Sequence, residues 1–265
     1  MTPTDWLADL TNDAFLGGAV RLTQPARGYR AGLDAVLLAA SFDASRPRPD
    51  APDRLLDVAD FGAGVGAVGL CLAARCPTVR VHLIERDAQT LELTHHNVAA
   101  HSARHRLRVL AGDLAARASA SSLASNCFDH VLANPPYFVA GTVRPPGNQQ
   151  RSVSHVQPEN DLDAWVRTMA RTLRPAGTTT VIHRADGLPA LLSALNRRFG
   201  GITVVGIHAR AGQSASRVLV RATKGSRAPF QLASPLVLHP PAGSEFVPAI
   251  SNVLRRPEPL CVWPD

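Results

Sequence analysis

The tetrapeptide Asn134-Pro135-Pro136-Tyr137 is the segment of this chain best suited to chemistry. Two successive prolines fix two φ angles and remove two N–H donors, so the peptide is stiff. The Asn134 carboxamide oxygen and the Pro135 backbone carbonyl are both acceptors that can be aimed at one point. Together they suit an NH₂ group. Tyr137 adds a flat face on which a planar base or amide can stack. The lone pair of an exocyclic amine is delocalised into its ring. Two acceptors on its hydrogens favour a more tetrahedral, nucleophilic nitrogen that can attack a sulfonium methyl in line. Holding nitrogen and methyl about 3–3.5 Å apart supplies much of the rate, with no strong base needed before attack.

A second motif reads Asp60-Phe61-Gly62-Ala63-Gly64-Val65-Gly66-Ala67-Val68-Gly69. Its glycines allow a tight turn and close approach to a ligand, and the turn opens a helix whose free N–H groups face that ligand. Gly64 to Gly69 satisfies GxGxxG, so a nicotinamide or flavin dinucleotide fits this motif too. Asp60, just before the glycines, favours a cationic ligand end over a pyrophosphate. Glu85, in Ile84-Glu85-Arg86-Asp87, can accept two ribose hydroxyls, as acids do in dinucleotide sites. Asp113, in Ala111-Gly112-Asp113-Leu114, fits an acceptor for an adenine amino group and equally a helix N-cap.

These motifs need a scaffold that brings distant segments together. Apolar patterning predicts strands at Leu55–Phe61, Val79–Ile84, Leu107–Leu110, Phe128–Ala133, Thr178–Ile182, Ile202–Ile207 and Arg217–Ala222. Between them lie predicted helices from Val65 to Arg75 and from a cap at Asp87 to His101. Leu162, Trp165, Val166, Met169 and Leu173 form one apolar helical face, ended by Pro175 and Gly177. Leu191, Leu192, Leu195 and Phe199 form another, closed by Gly200-Gly201. The alternation implies an α/β fold: a Rossmann-like, seven-stranded, mostly parallel sheet, with ligands beyond the carboxyl ends of its strands. Every motif above falls there. Residues 1–50 read as an N-terminal extension, with an amphipathic stretch through Leu22 and a helix from Leu33 to Phe42. Residues 51–225 read as the main domain, entered through the Pro-rich connector Arg46–Pro52, and residues 226–265 as a tail packed on it.

Composition narrows the classes. Of 265 residues, 45% are hydrophobic and 18% charged, which is globular rather than disordered. Nineteen glycines and 21 prolines fall short of a low-complexity chain. The net charge is +7, and Lys224 is the one lysine among 28 basic residues. Arginine suits bidentate phosphate contacts, although such an excess also fits a GC-rich genome. Arg21, Arg27, Arg30, Arg144 and Arg151 fall in segments expected beside the cleft, where they could follow an RNA backbone. No apolar run reaches the roughly 20 residues of a membrane span. The first ten residues carry Asp5 and Asp9 and no secretory pattern. Cys71, Cys76, Cys127 and Cys261 form no CxxC pair and read as reduced thiols of a cytoplasmic protein. His95 and His96 are adjacent on a helix and face apart, no metal-ligand spacing occurs, and no GxSxG elbow is present. A metal is not expected.

The ordered set Asp60-Phe61-Gly62-Ala63-Gly64-Val65-Gly66, Glu85, Asp113 and Asn134-Pro135-Pro136-Tyr137 resembles the motifs of class I S-adenosylmethionine-dependent methyltransferases. The tetrapeptide is similar to that of the amino-methyltransferase branch, which acts on adenine N6 of DNA and RNA, guanine N2 of rRNA, or glutamine N5 of release factors. Leu22-Thr23-Gln24-Pro25-Ala26-Arg27-Gly28-Tyr29-Arg30, then Gly32, Asp34 and Leu37-Leu38-Ala39, resembles the start of the bacterial tRNA(Val) adenine-N6 methyltransferase family. The likeness runs to about Ala222 and implies a methyl transfer from S-adenosylmethionine, leaving S-adenosylhomocysteine. It implies that Gly62, Gly64 and Gly66 cradle the methionine part, with Asp60 at its mouth. Glu85 would bind ribose and Asp113 the adenine, with Arg86 exposed or stacked on that base. Tyr29 and Arg30 would close over cofactor or base, and Asn134, Pro135, Pro136 and Tyr137 would hold the target nitrogen. The loop from Gly141 to Pro158 carries His155 where the family pattern is more acidic. A tRNA or other RNA is the expected partner, as a monomer or homodimer. A protein glutamine-N5 methyltransferase, an rRNA or DNA amino-methyltransferase, an NAD(P)-dependent oxidoreductase and a non-catalytic RNA-binding module are the competing readings. Only about fifty residues precede the core, short for a protein-substrate domain.

Overall fold

A computed structural model describes residues 9–28, 30–44, 54–116, 123–136 and 158–264. It begins with a hairpin of β1 (Leu10–Phe15) and β2 (Val20–Pro25), paired antiparallel. The stretch that reads as amphipathic is therefore extended. Val20, Leu22 and Gln24 alternate inward and Arg21 outward, the period of two that a strand imposes. Positive φ at Leu16, Gly17 and Gly18 turns the chain between them. Helix α1 (Leu33–Ala40) follows.

The core then alternates as the patterning predicts: β3 (Leu56–Phe61), α2 (Ala67–Arg75), β4 (Val79–Glu85), α3 (Ala88–Ala100), β5 (Leu107–Ala111), β6 (Phe128–Ala133), α4 (Pro158–Thr172), β7 (Leu173–Arg184), α5 (Leu188–Leu195), β8 (Phe199–His208) and β9 (Ala215–Lys224). The Asp87 carboxylate accepts the Thr90 N–H at 2.8 Å and caps α3. The strands lie in the order β8-β9-β7-β6-β3-β4-β5. β9 runs antiparallel to both neighbours, and the remaining pairs are parallel. Among the described residues the sheet has nine strands, not seven. The additions are β10 (Gln231–Leu232) and β11 (Leu236–Val237), two-residue pieces of the tail that pair parallel with β8.

Two helix ends differ from the sequence reading. Leu173 is the first residue of β7, opposite Phe128, rather than the last of α4. Pro175 and Gly177 do not stop a helix. They flank Ala176, at φ 59°, where the register of β7 against β6 shifts. Phe199, Gly200 and Gly201 likewise belong to β8, not to the end of α5. Gly201 has φ 55°, and the β8–β9 register slips beside it. In both places apolar side chains serve a buried strand as well as they would a helix.

One half of the core packs α1, α2, the hairpin and α6 (Pro248–Arg255) on the sheet. The other packs α4 and α5 on the opposite face. The tail closes on the N-terminal elements. The Leu260 N–H donates to Ala40 O at 2.8 Å, the Trp263 indole N–H to Ser41 O at 2.6 Å, and the Arg75 guanidinium to Val253 O at 2.6 Å.

At the amino edge of the sheet, buried Asp57 meets Arg54 (2.9 Å), Arg80 (3.2 Å), His82 (3.1 Å) and Arg174 (3.5 Å). Arg174 also meets Asp129 at 2.6 Å, and Asp129 accepts the Asp57 N–H at 2.8 Å. Burial pushes the Asp57 carboxyl up. The hydrogen bond to His82 and the charges of His82, Arg80 and Arg54 outweigh it, leaving the pKa at about 2 instead of 3.8. A depressed carboxylate contributes stability above its unfolded pKa and loses it as the pH falls through the folded value. The fold should therefore lose about 2 kcal/mol from this group between pH 4 and pH 2. Asp57→Ala should cost about 2 kcal/mol at neutral pH by removing the buried acceptor that Arg80, His82 and Arg174 share. Urea unfolding of both proteins from pH 7 down to pH 2 checks both figures.

Candidate active site

Four strand ends form one row at the carboxyl edge. Phe61 is level with Ile84 on β4 and with Ala133 on β6, and Glu85 is level with Ala111 on β5. Gly62, Glu85 and Asn134 therefore leave three adjacent strands side by side, with Gly112 one strand further out.

The turn after β3 is fixed by its backbone. Gly62 and Ala63 both donate to Ile84 O at 2.9 Å, and Gly66 donates to Ala63 O at 2.8 Å. A Cβ on Gly62 would come within 2.5 Å of the Trp165 ring on α4, so no side chain fits there. Gly64 is different. Its φ is +56° and nothing lies within 4 Å of where a Cβ would stand. That open face is a place where a ligand can meet bare backbone. The Gly64 N–H donates to Glu85 Oε2 at 3.0 Å, and its carbonyl accepts the Thr94 hydroxyl at 2.6 Å.

Glu85 accepts two more amides on Oε1, from Arg86 at 2.8 Å and Asp87 at 3.0 Å. Each oxygen retains lone-pair capacity for a further donor. The Arg86 side chain is exposed. Asp113 is also exposed, and its Oδ1 accepts the Ala115 N–H at 2.9 Å, a turn-capping contact. The turn it caps docks on α4, where the Thr168 hydroxyl donates to Leu114 O at 2.8 Å.

Asp60 stands beneath the turn and not at its mouth. It is 2% exposed and accepts the Gly69 N–H of α2 at 2.9 Å. Burial pushes its carboxyl up to about 7 against that hydrogen bond, and the negative charge of Glu85 adds to the rise.

Asn134 is half-buried, Pro135 buried and Pro136 exposed. Tyr29, Tyr137, Arg144 and Arg151 lie outside the described residues. Arg30 is tied to the hairpin: its guanidinium meets Asp13 at 2.6 Å, and Thr11 Oγ1 and Pro25 O at 3.0 Å each. Arg21 donates to Asn12 Oδ1 at 3.3 Å, and Arg27 lies 3.5 Å from Asp9; both are exposed. Among the described residues, no three His, Cys, Asp or Glu side chains converge as metal ligands. No described helix is long and apolar enough to cross a membrane.

Four supporting residues were given no role by the sequence reading: Gln24, inside the quoted N-terminal motif, and Thr94, Asn97 and Trp165, outside the quoted motifs. Gln24, Thr94 and Asn97 are buried polar residues, and each bonds to backbone near the turn or the hairpin end. Their signal was a polar side chain on an otherwise apolar face, as with Asn97 one turn after Leu93.

Residues 49–210 match the model of the methyltransferase small domain. The chain belongs to that family. It is an S-adenosylmethionine-dependent methyltransferase, as its motifs imply. A protein of Phocaeicola vulgatus called tRNA1(Val) (adenine(37)-N6)-methyltransferase is 31% identical over 194 residues, 72% of this chain and 75% of its own. One of Porphyromonas gingivalis with the same name is 27% identical over 88% of this chain and 91% of its own. Among solved structures, a predicted O-methyltransferase of Agrobacterium tumefaciens superposes with a TM-score of 0.68 at 30% identity, covering 85% of this chain and 97% of its own. A T. thermophilus 16S rRNA N2-guanine methyltransferase, solved with AdoMet and guanosine, shares the fold at TM-score 0.51 and 22% identity, over 81% of this chain and 50% of its own.

The cradle fits this cofactor: an open glycine backbone, an acid with spare lone pairs one strand over, and a buried carboxyl below. Gly64→Ala tests it. Nothing obstructs the new methyl within the fold, and the left-handed φ costs about 1 kcal/mol. The enzyme should stay folded while its affinity for S-adenosylmethionine falls at least about tenfold, or about 1.4 kcal/mol. Calorimetric titration beside a melting curve checks the pair.

Proposed function

We propose that this methyltransferase modifies adenine N6 of a tRNA. The observation that carries the reading is the pairing of Ala133 with Phe61, which brings the start of the Asn134-Pro135 segment beside the glycine turn at Gly62. The names of the similar enzymes support the base and the RNA.

S-adenosylmethionine supplies an electrophilic methyl group when bound. The chain's own residues bind, orient and exclude. Gly64 leaves room for the methionine portion, Gly62 and Gly66 let the turn pack against Trp165 and Leu83, and Asp60 supports the turn from below. Glu85 accepts the ribose hydroxyls, and Asp113 and Arg86 flank the adenine. Asn134 Oδ1 and the Pro135 carbonyl accept the two hydrogens of the target amine, and Pro136 keeps the tetrapeptide stiff. The acceptors hold those hydrogens until one proton leaves as positive charge develops on nitrogen. Tyr137 stacks on the base. Arg30, held by Asp13, Thr11 and Pro25, braces the hairpin of the extension of residues 1–50 rather than closing over the site, and the role of covering cofactor or base falls to Tyr29. Residues 51–225 form the methyltransferase domain, and residues 226–265 brace it.

Arg21, Arg27, Arg144 and Arg151 follow the RNA backbone, with the target base splayed outward. The reaction uses no metal, and the enzyme works in the cytoplasm.

Tritiated methyl transfer to total tRNA, rRNA, DNA and release factor in parallel, with mass mapping of the product, tests the substrate. Label on N6 of a tRNA adenine is expected, and label in release factor overturns the reading. Asn134→Ala should lower kcat by about 10²–10³-fold, the scale for loss of one aligned hydrogen-bonding group, with cofactor affinity nearly unchanged. Activity within a few-fold of the parent would refute the role of Asn134.

A further inference from the structure

Thr23 of the N-terminal hairpin and Val65 of the glycine turn are 42 residues apart in sequence, and one side chain joins them. Asn97, on the last full turn of α3, is 2% exposed. Its Oδ1 accepts the Thr23 N–H at 2.8 Å. Its Nδ2 donates to Thr23 O at 3.0 Å and to Val65 O at 2.9 Å. The carboxamide thus meets the outer edge of β2 as the peptide group of another strand would, and spends its remaining donor on the glycine turn. One helical turn earlier, Thr94 holds the preceding carbonyl, Gly64 O. Thr94 touches the turn alone among these two partners, whereas Asn97 touches both.

The connection continues along β2. Gln24, next after Thr23, is 1% exposed. Its Nε2 donates to Asp13 at 2.8 Å, and its Oε1 accepts the Ala31 N–H at 2.9 Å. Asp13 in turn holds Arg30. A chain of partly buried hydrogen bonds therefore runs from Val65 through Asn97, Thr23 and Gln24 to residues 30–31, the segment that leads from the hairpin into α1. Only an asparagine satisfies all three partners. Aspartate keeps the acceptor but loses both donors and adds a charge. An apolar isostere would strand three backbone groups, each at the desolvation penalty of a buried polar atom.

We propose that Asn97 is a positioning residue that couples the glycine turn to the N-terminal cover. Ordering of the turn by cofactor then orders the hairpin and residues 30–31, and the coupling is reciprocal. The inference rests on the cofactor reading above and concerns how that site is closed. It gives Asn97 no contact with substrate or cofactor.

Hydrogen exchange on the full chain tests it, with Asn97→Asp as the variant and Thr94→Val as the control. Thr94→Val loosens the turn but leaves the hairpin bonds in place. In the parent and in Thr94→Val, adding S-adenosylmethionine should slow exchange about tenfold or more at the turn amides of Gly62, Ala63 and Gly64, and also at Ala31. In Asn97→Asp the turn amides should still be protected and Ala31 should not. The proposal is overturned if cofactor protects Ala31 in Asn97→Asp as in the parent, or never protects Ala31 in the parent. If cofactor protects neither segment of the parent, the cofactor reading itself fails. The coupling is then judged on ligand-free protein, where Asn97→Asp must speed exchange at turn and hairpin together and Thr94→Val at the turn alone; any other pattern overturns it. Should Asn97→Asp not fold, Asn97→Ser, uncharged and smaller, takes its place with the same expectations.

Discussion

β3 is hydrogen-bonded in parallel on both sides, with Phe61 level with Ile84 and Ala133, and the carboxyl edge depends on that register. The strand is buried on both faces, as strands of parallel sheets are. Its alternation sends Asp60 toward α2 and Phe61 toward the α4 side of the core. A slip of one residue would reverse both. The carboxyl would then lie among Phe128, Val166 and Met169, and Phe61 would displace the contact with Gly69. The same register presents Ile84 O to two amides of the turn, so the direction in which the chain leaves β3 is settled by β4. The turn, the Glu85 carboxylate and the start of the Asn-Pro-Pro segment are set by strand pairing before any ligand is considered.

The arginine-rich composition has a second explanation besides a polyanionic partner. Many guanidiniums bind backbone carbonyls. Arg106 holds Ala73 O, Cys76 O and Val79 O at 2.8–2.9 Å, closing the end of α2 onto β4. Arg75 holds carbonyls of the tail, Arg171 that of Leu123, and Arg210 those of Pro240 and Gly243. Others pair with acids: Arg217 with Asp34, Arg184 with Asp186, and Arg54, Arg80 and Arg174 with Asp57 at the edge away from the site. Five donors in a planar fork make such multiple contacts possible, and lysine could not replace them. Net charge alone therefore says little about where RNA would lie.

The sheet was legible because parallel strands leave long apolar runs between glycines, prolines and caps. The glycine turn was legible because its three residues with left-handed φ must be glycine. Asp87 could be read as a cap from its position alone. The hairpin was not, because a six-residue strand with one polar inward residue, Gln24, mimics a weak amphipathic helix. The ends of α4 and α5 were missed for a related reason. Leu173 and Phe199 continue the apolar face of a helix, and only their partners Phe128 and Lys224 across the sheet make them strand. Asn97 was beyond the motifs because its role is defined by two segments 32 and 74 residues away.

Asp60 shows how the site balances two charges. Its carboxyl lies in the core, and Glu85, close enough for its charge to be felt, sits one strand away at the surface of the turn. Ionising Asp60 places a second negative charge near the first in a medium of low polarity, so the proton is held up to about pH 7. A carboxyl whose folded pKa is raised stabilises the fold below its unfolded value and loses that contribution as the pH climbs through the folded one. The acid is therefore a cost to the ligand-free protein at neutral pH. A cationic sulfonium above the turn would reverse the balance, since it favours the ionised form by the same Coulombic term with opposite sign. Proton release and cation binding are then two sides of one equilibrium. A neutral residue at position 60 could accept the Gly69 amide just as well, but it would give the turn no preference for a positively charged ligand.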